Sequence, residues 1–273
     1  MNLWLHRFAI LVAVLALMLV ATGALVSNAR STGGADLEEL VSQHRMLSYA
    51  AALLVAIEVI WMMFAAPKWR GLASLIVLAV AAEAYSGQQA LADPKHSTFG
   101  HSNFAWYFCV LAAIAALVTA PLWDRETIRF PKISRPSWRW FALFAAALVL
   151  LAALGSGFRY KLLGVMPNTL GALLLPLFLC GVAVLVLRQP KATVPAGNPL
   201  RVLAIILLIA AGLQLVWGLA VISLGTRSAL ANSVMIVTVL DATNTNLVLE
   251  VAMLVAVIKW WPQENPSNCA LHS

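Results

Sequence analysis

Eight long apolar runs limit what this chain can fold into. Each covers roughly 18 residues or more, about the length that an α-helix needs to cross the hydrocarbon core of a bilayer. The chain is 62% hydrophobic and 11% charged, whereas a soluble domain is about half apolar and a quarter charged. The sequence therefore predicts an all-α integral membrane protein with eight transmembrane helices, at residues 8–26, 44–64, 71–88, 104–123, 138–154, 169–187, 202–224 and 232–258.

The basic residues predict how these helices are oriented. Twelve of the 18 Lys and Arg residues fall on the side of the N-terminus, and six fall on the opposite side. The first group is Arg7, Lys68, Arg70, Arg125, Arg129, Lys132, Arg135, Arg139, Arg188, Lys191, Arg201 and Lys259; the second is Arg30, Arg45, Lys95, Arg159, Lys161 and Arg227. By the positive-inside rule we expect both termini in the cytoplasm and the protein in the cell inner (plasma) membrane.

The net charge of +7 follows mostly from this topology. Basic residues near the membrane surface also contact anionic lipid headgroups. The lipid bilayer is therefore the expected partner of the charged residues, and no nucleic-acid partner is expected.

The start of the chain allows a second interpretation, in which the first apolar run is a cleaved signal peptide. That run covers residues 8–26, which is longer than the usual apolar region of a signal peptide, about 7–15 residues. Its removal would also break the charge pattern of the loops. We therefore expect the first run to stay in the protein as a transmembrane helix.

The longest polar segment on the inner side, at residues 124–139, divides the chain into two halves. The expected units are residues 1–130, residues 131–262 and a cytoplasmic tail at residues 263–273. The third helices of the two halves resemble each other, with Glu83-Ala-Tyr-Ser-Gly87 in one and Gln214-Leu-Val-Trp-Gly218 in the other. In both, a polar residue precedes a glycine by four positions, which places the two on one helix face. The pattern predicts two repeated four-helix bundles.

Two histidines stand at the predicted starts of the second and fourth helices, on the outer side. They are His44 and His101, and an imidazole at membrane depth needs a partner. In this topology the two helices run parallel, so both histidines lie at one height and could ligate one haem iron from both faces. Capping of the helices or bonding to outer loops is the alternative. His96, in a predicted outer loop at residues 93–100, is a weaker candidate than His101.

The neighbouring sequence predicts a single haem site. Arg45 could hold haem propionates by charge-assisted hydrogen bonds, although such residues also extend to lipid headgroups. Fourteen residues beyond Gly87 is His101, whereas fourteen beyond Gly218 is Asn232, and Asn168 lies before the corresponding second helix. Since an amide is a poor ligand for haem iron and imidazole is a strong one, only the first half is expected to bind haem.

Four acidic residues, Glu58, Glu83, Asp241 and Glu250, fall inside predicted spans. Ionisable groups there are costly and usually face the interior of the bundle. For Glu58 we favour hydrogen bonding to Ser, Thr or Asn of other helices over a proton relay. The polar stretch at residues 241–246 could line a cavity, bind a partner or bond to Gln214. The cysteines, Cys109, Cys180 and Cys269, form neither a disulfide framework nor a zinc-type spacing.

Several motifs resemble the haem A synthase family of eight-helix membrane proteins. They are Gly23-Ala-Leu-Val26, Ser31-Thr-Gly-Gly34, His44-Arg45 and Gln214-Leu-Val-Trp-Gly218-Leu-Ala-Val. The resemblance implies two four-helix halves and oxidation of the methyl group of haem O to the formyl group of haem A, for cytochrome oxidase assembly. It also implies one histidine pair in each half, with His44 and His101 as the first-half pair that holds substrate haem.

The chain departs from this family in three places. Val41 stands where the family has a glutamate, the outer-loop cysteine pair of some members is absent, and the second-half histidines are missing. Three functions therefore stay open: an oxidoreductase of haem A synthesis, a non-catalytic b-type cytochrome or accessory subunit of a membrane respiratory complex, and a packing or assembly subunit without haem. The expected cofactor is one haem, of b-type or haem O/A. The expected partners are haem, the bilayer and, for an accessory subunit, the other subunits of its complex.

Overall fold

A computed structural model describes residues 2–32, 36–92, 94–120, 165–189, 198–224 and 231–260 of the chain. Within these residues the protein is helical and contains no strand. Its seven α-helices are α1 (Leu3–Thr32), α2 (Leu37–Ala65), α3 (Arg70–Ala92), α4 (Pro94–Val118), α5 (Val165–Leu187), α6 (Pro199–Leu224) and α7 (Ala231–Trp260). A short 3-10 helix, Pro67–Trp69, connects α2 to α3. The prediction of an all-α protein is confirmed for the described residues.

Seven of the eight predicted spans coincide with these helices. Among the residues that the structure describes, five segments are long and apolar enough to cross a membrane: Leu3–Ser27, Leu37–Ala65, Pro67–Ala90, Pro199–Ala220 and Val239–Ile258. The apolar segments of α4 and α5, Phe104–Val118 and Leu173–Leu187, are shorter. The predicted span at residues 138–154 lies outside the described residues, so the eight helices and the two four-helix bundles stay predictions.

Helices α2 and α4 begin earlier than the apolar pattern predicts. The predicted starts at His44 and His101 are wrong, because Leu37 and Pro94 each begin their helix seven residues before the histidine. The added turns are polar. The first turn of α2 contains Glu38 and Glu39, which favour a helix N-terminus electrostatically, and proline is favoured at the first position of a helix.

The predicted outer loop at residues 93–100 is also wrong, because α4 is already helical from Pro94. His96 therefore lies in the first turn of α4. The equal offset of His44 and His101 from their helix starts keeps both at about the same distance, roughly 10 Å, from the end of the helix. The prediction that they share a height agrees with this backbone geometry.

Helices α1 to α4 pack as a closed ring, since α1 contacts α2 and α4, and α3 contacts α2 and α4. One end of the ring is filled by buried apolar side chains such as Val12, Met62, Ile76 and Ala112. Small residues at helix interfaces let the backbones approach closely. On the outside of α2, Met46, Leu53 and Ile60 form an exposed stripe at intervals of seven residues, as expected for a face in contact with lipid.

Helix α7 connects the ring to the rest of the chain. It packs against α6 on one side and against α1 and α4 on the other, and α6 also packs against α5. Leu207 of α6 and Leu249 of α7 are fully buried in this second apolar core. The side chains of Cys109 on α4 and Glu250 on α7 lie close to each other across the junction. The two groups of helices therefore share α7 as a common wall.

A polar network holds α6 against α7. Nε2 of Gln214 donates to Oδ1 of Asp241 at 2.6 Å, and Nδ2 of Asn244 donates to Oε1 of Gln214 at 2.8 Å. Nδ2 of Asn244 also donates to the carbonyl oxygen of Ala210 at 2.9 Å. Of the three roles considered for residues 241–246, the structure thus shows the bond to Gln214. Such bonds between membrane helices contribute about 0.6 kcal/mol on average and up to about 1.7 kcal/mol.

We predict that Gln214→Leu lowers the free energy of unfolding by about 1–2 kcal/mol. The substitution removes both the oxygen that accepts from Asn244 and the N–H that donates to Asp241. The measurement is equilibrium unfolding in mixed detergent micelles. The matched control is Val216→Ala, which changes an exposed residue of the same helix and should have a smaller effect. Equal stability of Gln214→Leu and the wild type would show that the network does not stabilise the fold.

Candidate functional site

A cavity of about 410 Å³ lies at the end of the ring where α1 and α3 end and α2 and α4 begin. We call it the His44 cavity. Its walls come from α1, α2 and α3, with one residue of α4, and its lining is Leu19, Gly23, Val26, Ser27, Arg30, Val41, His44, Arg45, Ser48, Tyr49, Ala51, Ala52, Val55, Val80, Glu83, Ala84, Gly87, Gln88, Ala90 and Phe108. A volume of this order is typical of sites for small molecules and cofactors, about 300–1,000 Å³.

His44 is held against α1 by two consecutive residues. Oγ1 of Thr22 lies 2.8 Å from Nδ1 of the imidazole, within hydrogen-bonding distance. At the next position Gly23 faces the ring: a Cβ atom there would lie 3.4 Å from Cε1 and 3.8 Å from Nε2 of His44, in ordinary contact, so only a side chain larger than alanine would press on the ring. The imidazole is therefore fixed at the wall of the cavity.

Two guanidinium groups line the cavity at the end where His44 lies. Nη1 of Arg30 donates to the carbonyl oxygen of Ala90 at 3.1 Å, which ties the end of α1 to the end of α3. Arg45 is exposed and follows His44 on α2. Farther along the cavity the lining is apolar and includes Val55 and Val80. This arrangement suits an amphiphilic molecule that has an acidic group near the arginines and an apolar body along the helices.

The backbone of α4 places His101 on the face that contributes Phe108 to the cavity. Seven residues separate the two, which is close to two helical turns and about 10 Å along the helix. The side chain of His101 lies outside the described part of the structure. Its predicted role as the second iron ligand stays a prediction.

The acidic residues of the ring differ in position. Glu83 on α3 lines the His44 cavity. Glu58 lies on the cavity-facing stripe of α2, one turn beyond Val55, and is fully buried. Neither of its carboxylate oxygens has a hydrogen-bond partner among the described residues. The prediction that Glu58 bonds to Ser, Thr or Asn of other helices is therefore wrong for the described residues. The other buried residues of α2 near Glu58, Val55, Val59 and Met62, are apolar.

Metal binding by side chains alone has no support in the described part of the chain. No group of three or more His, Cys, Asp or Glu side chains there could hold a metal ion. A haem iron needs only axial ligands, since the porphyrin supplies the other four. One or two histidines are thus sufficient for haem.

Sequence reasoning selected His44 and Arg45 but missed the residues that position them. Thr22 and Gly23 contact His44 from α1, and Arg30 ties α1 to α3. Thr22 and Gly23 form a polar and small pair inside an otherwise apolar run, and this signal could have drawn attention to them. Their partner could not be identified without the register between α1 and α2.

We predict that Gly23→Ala leaves the free energy of unfolding nearly unchanged. Gly23→Leu should lower the free energy of unfolding by about 1–3 kcal/mol, because the larger side chain pushes on the His44 ring. Thermal unfolding in detergent is the measurement. The matched control is Gly212→Leu on α6, where a Cβ atom meets nothing within 4 Å. Replacing glycine by leucine improves helix propensity by about 1 kcal/mol at both positions, so this gain cancels when the two variants are compared. If both leucine variants were equally stable, Gly23 would not be needed as space for His44.

No family model and no curated protein matches this chain.

Proposed function

We propose that this chain is an integral membrane protein that binds one haem in the His44 cavity. The observation that carries the proposal is the placement of an imidazole, fixed through Nδ1, in the wall of a cavity that also has apolar sides and two arginines. Haem combines an apolar macrocycle, two carboxylates and an iron for which imidazole is a common ligand. Each of these parts has a counterpart in the lining.

The lining residues fit the haem in position as well as in chemistry. His44, Arg30 and Arg45 belong to the end of the ring where α2 begins, and the apolar residues continue from there along the helix axes. Arg30 and Arg45 would hold the propionates by charge-assisted hydrogen bonds. Gly23, Gly87 and the alanines of the lining keep the backbone close to the cavity and leave space for a flat molecule.

His101 is the proposed second ligand. It lies seven residues into α4, as His44 lies seven residues into α2, and these two helices start at the same end of the ring. It also lies on the face of α4 that contributes Phe108 to the cavity. A histidine at that height and on that face suits the other side of a haem bound to His44.

We further propose that the chain forms eight transmembrane helices in two four-helix halves, residues 1–130 and 131–262, with both termini in the cytoplasm. Five long apolar helices and two shorter apolar segments support the transmembrane character. The distribution of Lys and Arg supports the orientation. In the proposed orientation the His44 cavity lies on the outer side of the cell inner (plasma) membrane.

The proposed activity, from the resemblance to haem A synthases, is conversion of haem O to haem A for cytochrome oxidase assembly. A haem bound here supplies one-electron and oxygen chemistry. The contribution of the chain is to hold the molecule by His44 and the arginines, to orient it along the helices and to exclude water with the apolar walls.

A non-catalytic b-type cytochrome, or a haem-bearing accessory subunit of a membrane complex, is the second candidate. It is favoured by the chemistry of the second half, where Asn168 and Asn232 take the places of histidines. The polar residues Gln214, Asp241 and Asn244 bond to one another. A second haem with two imidazole ligands is therefore not expected, and electron delivery to the first haem would need another route.

We predict that protein purified from haem-replete cells has the absorption spectrum of a low-spin b-type haem, and that His44→Ala and His101→Ala each lose it, because one axial ligand is then missing. His96→Ala is the matched control from the same helix as His101 and should keep the spectrum. A folded wild-type preparation without haem would refute the proposal, and loss of haem in His96→Ala would show that the second ligand is His96.

The two candidates are separated by supplying haem O to membranes that contain the protein, with the natural electron donors of the cell present. We predict that haem A forms with the wild type and not with His44→Ala, measured by chromatography of extracted haems. If the wild type binds haem but forms no haem A, the chain is a haem-binding subunit and not a haem A synthase.

A further inference from the structure

We infer that the His44 cavity opens sideways between α2 and α3 into the hydrocarbon of the bilayer, and that its ligand enters there from the membrane. The ligand class is an amphiphile in which a carboxylate is joined to an apolar body. The position of the opening follows from the exposure of the lining residues. That haem is this amphiphile rests on the proposed function.

The first step is the exposed edge of α2. Ala51 and Val55 line the cavity and are buried, whereas Ala52 lines it and is exposed. The side chain of alanine is a single methyl group, so an alanine that both lines the cavity and is exposed lies at an edge of the cavity. Tyr49, three residues earlier on the same side of the helix, also lines the cavity and is 70% exposed.

The opposite edge of α2 is covered by α1. Leu54, about 200° around the helix from Ala52, is partly buried against the apolar core of the ring, as is Trp61. The side chain of Trp61 packs against Phe8 of α1, with ring centroids 6.0 Å apart. Since the neighbours of α2 in the ring are α1 and α3, the exposed edge with Ala52 faces α3.

Helix α3 has the matching edge. Ala84 and Gln88, one turn apart, line the cavity and are exposed, whereas Ala79 on the other side of α3 is buried. The two helices run antiparallel from the short 3-10 helix that connects them, which brings Ala52 and Ala84 to about the same level. Helices α2 and α3 also pack less extensively than the other neighbouring pairs of the ring. We define the α2–α3 opening as the gap bounded by Tyr49, Ala52, Ala84 and Gln88.

The α2–α3 opening lies at the level of the hydrocarbon core. Ala52 is about 20 Å from either end of α2, and Ala84 is about 12 Å from the nearer end of α3. Both helices belong to segments that are long and apolar enough to cross a membrane. The side chains next to the opening, Leu53 and Tyr85, are exposed and large. The opening therefore faces acyl chains.

The lining sets the class of molecule that enters. Arg30 and Arg45 lie at the end of the cavity where His44 lies, and guanidinium groups bind carboxylates by charge-assisted hydrogen bonds. Val55 and Val80 lie farther along, near the level of the opening. A molecule dissolved in the bilayer can thus bring its apolar body in between the helices while its carboxylate reaches the arginines. Haem and fatty acids share this chemistry.

The route is tested by narrowing the opening in the full chain, reconstituted in lipid nanodiscs, with Ala52→Trp and Ala84→Trp. Haem is supplied in liposomes, and its binding is followed by absorbance. We expect each variant to slow association and dissociation by the same factor, about 10-fold or more, because a narrower passage changes both rates and not the affinity. Ala50→Trp, an exposed alanine of α2 that does not line the cavity, should keep wild-type rates. Unchanged association rates in both lining variants would overturn the inference.

A reversible block separates the route from a folding defect. A bulky methanethiosulfonate reagent is attached to Ala52→Cys after reconstitution and then removed by reduction. Haem uptake should stop on attachment and return on reduction. Ala50→Cys, which has the same native cysteines, should take up haem at one rate throughout. If the attachment at Ala52→Cys left the uptake rate unchanged, entry between α2 and α3 would be disproved.

A second probe separates this inference from the proposed function. Parinaric acid, a fluorescent fatty acid, is dissolved in the same membranes, and its saturable uptake is followed by energy transfer from tryptophan. If the wild type takes up the fatty acid but not haem, and Ala52→Trp and Ala84→Trp slow that uptake, the proposed function fails and the α2–α3 opening stands. If haem binds to all variants at the wild-type rate, the proposed function stands and the opening fails. Uptake of neither probe by the wild type would overturn both.

Discussion

The constraint on which this structure depends is that a helix inside hydrocarbon must satisfy its own backbone hydrogen bonds. Once the backbone hydrogen bonds are made, an apolar side chain gains little free energy by moving from lipid to a neighbouring helix. Helix association therefore depends on close packing and on a few polar contacts. The polar contacts here join specific helices. Nδ1 of His6 on α1 lies 2.9 Å from the carbonyl oxygen of Ala116 on α4, Thr22 contacts His44, and Gln214 bonds to Asp241. Each contact sets the register of one helix pair.

The His44 cavity follows from the distribution of side-chain size along the ring. Away from His44 the interior is filled by residues such as Val12, Met62 and Ile76. On the His44 side the lining is smaller, with Gly23 on α1 and Gly87 on α3. The contacts Thr22–His44 and Arg30–Ala90 link α1 to α2 and to α3 at this level. Small side chains therefore open the space, and polar links between the helices keep it from collapsing.

The helices could be predicted from the sequence, because apolar run length is a local signal, and a lone imidazole at membrane depth is the local signal that selected His44. The starts of α2 and α4 could not be predicted in this way. Their first turns are polar, so a search for apolar runs does not include them. The bond to Gln214 was one of three roles open for residues 241–246 until the register of α6 and α7 was known. Thr22 and Arg30 were missed for the same reason. Their contacts depend on which residues of two different helices lie at one level, and periodicity within one helix does not contain that information.

The polar groups around Gln214 and those beside the His44 cavity have different surroundings. On α6 and α7, Gln214, Asp241 and Asn244 satisfy one another inside the protein. In the ring, His44 and Glu83 line a cavity, and Glu58 lies buried one turn farther along the same stripe of α2 without a hydrogen-bond partner among the described residues. Buried polar groups in membrane helices are costly. The network of Gln214, Asp241 and Asn244 stabilises the packing of α6 against α7, whereas polar side chains that line a cavity are positioned to contact a molecule bound in it, and this is the ground of the proposed site at His44.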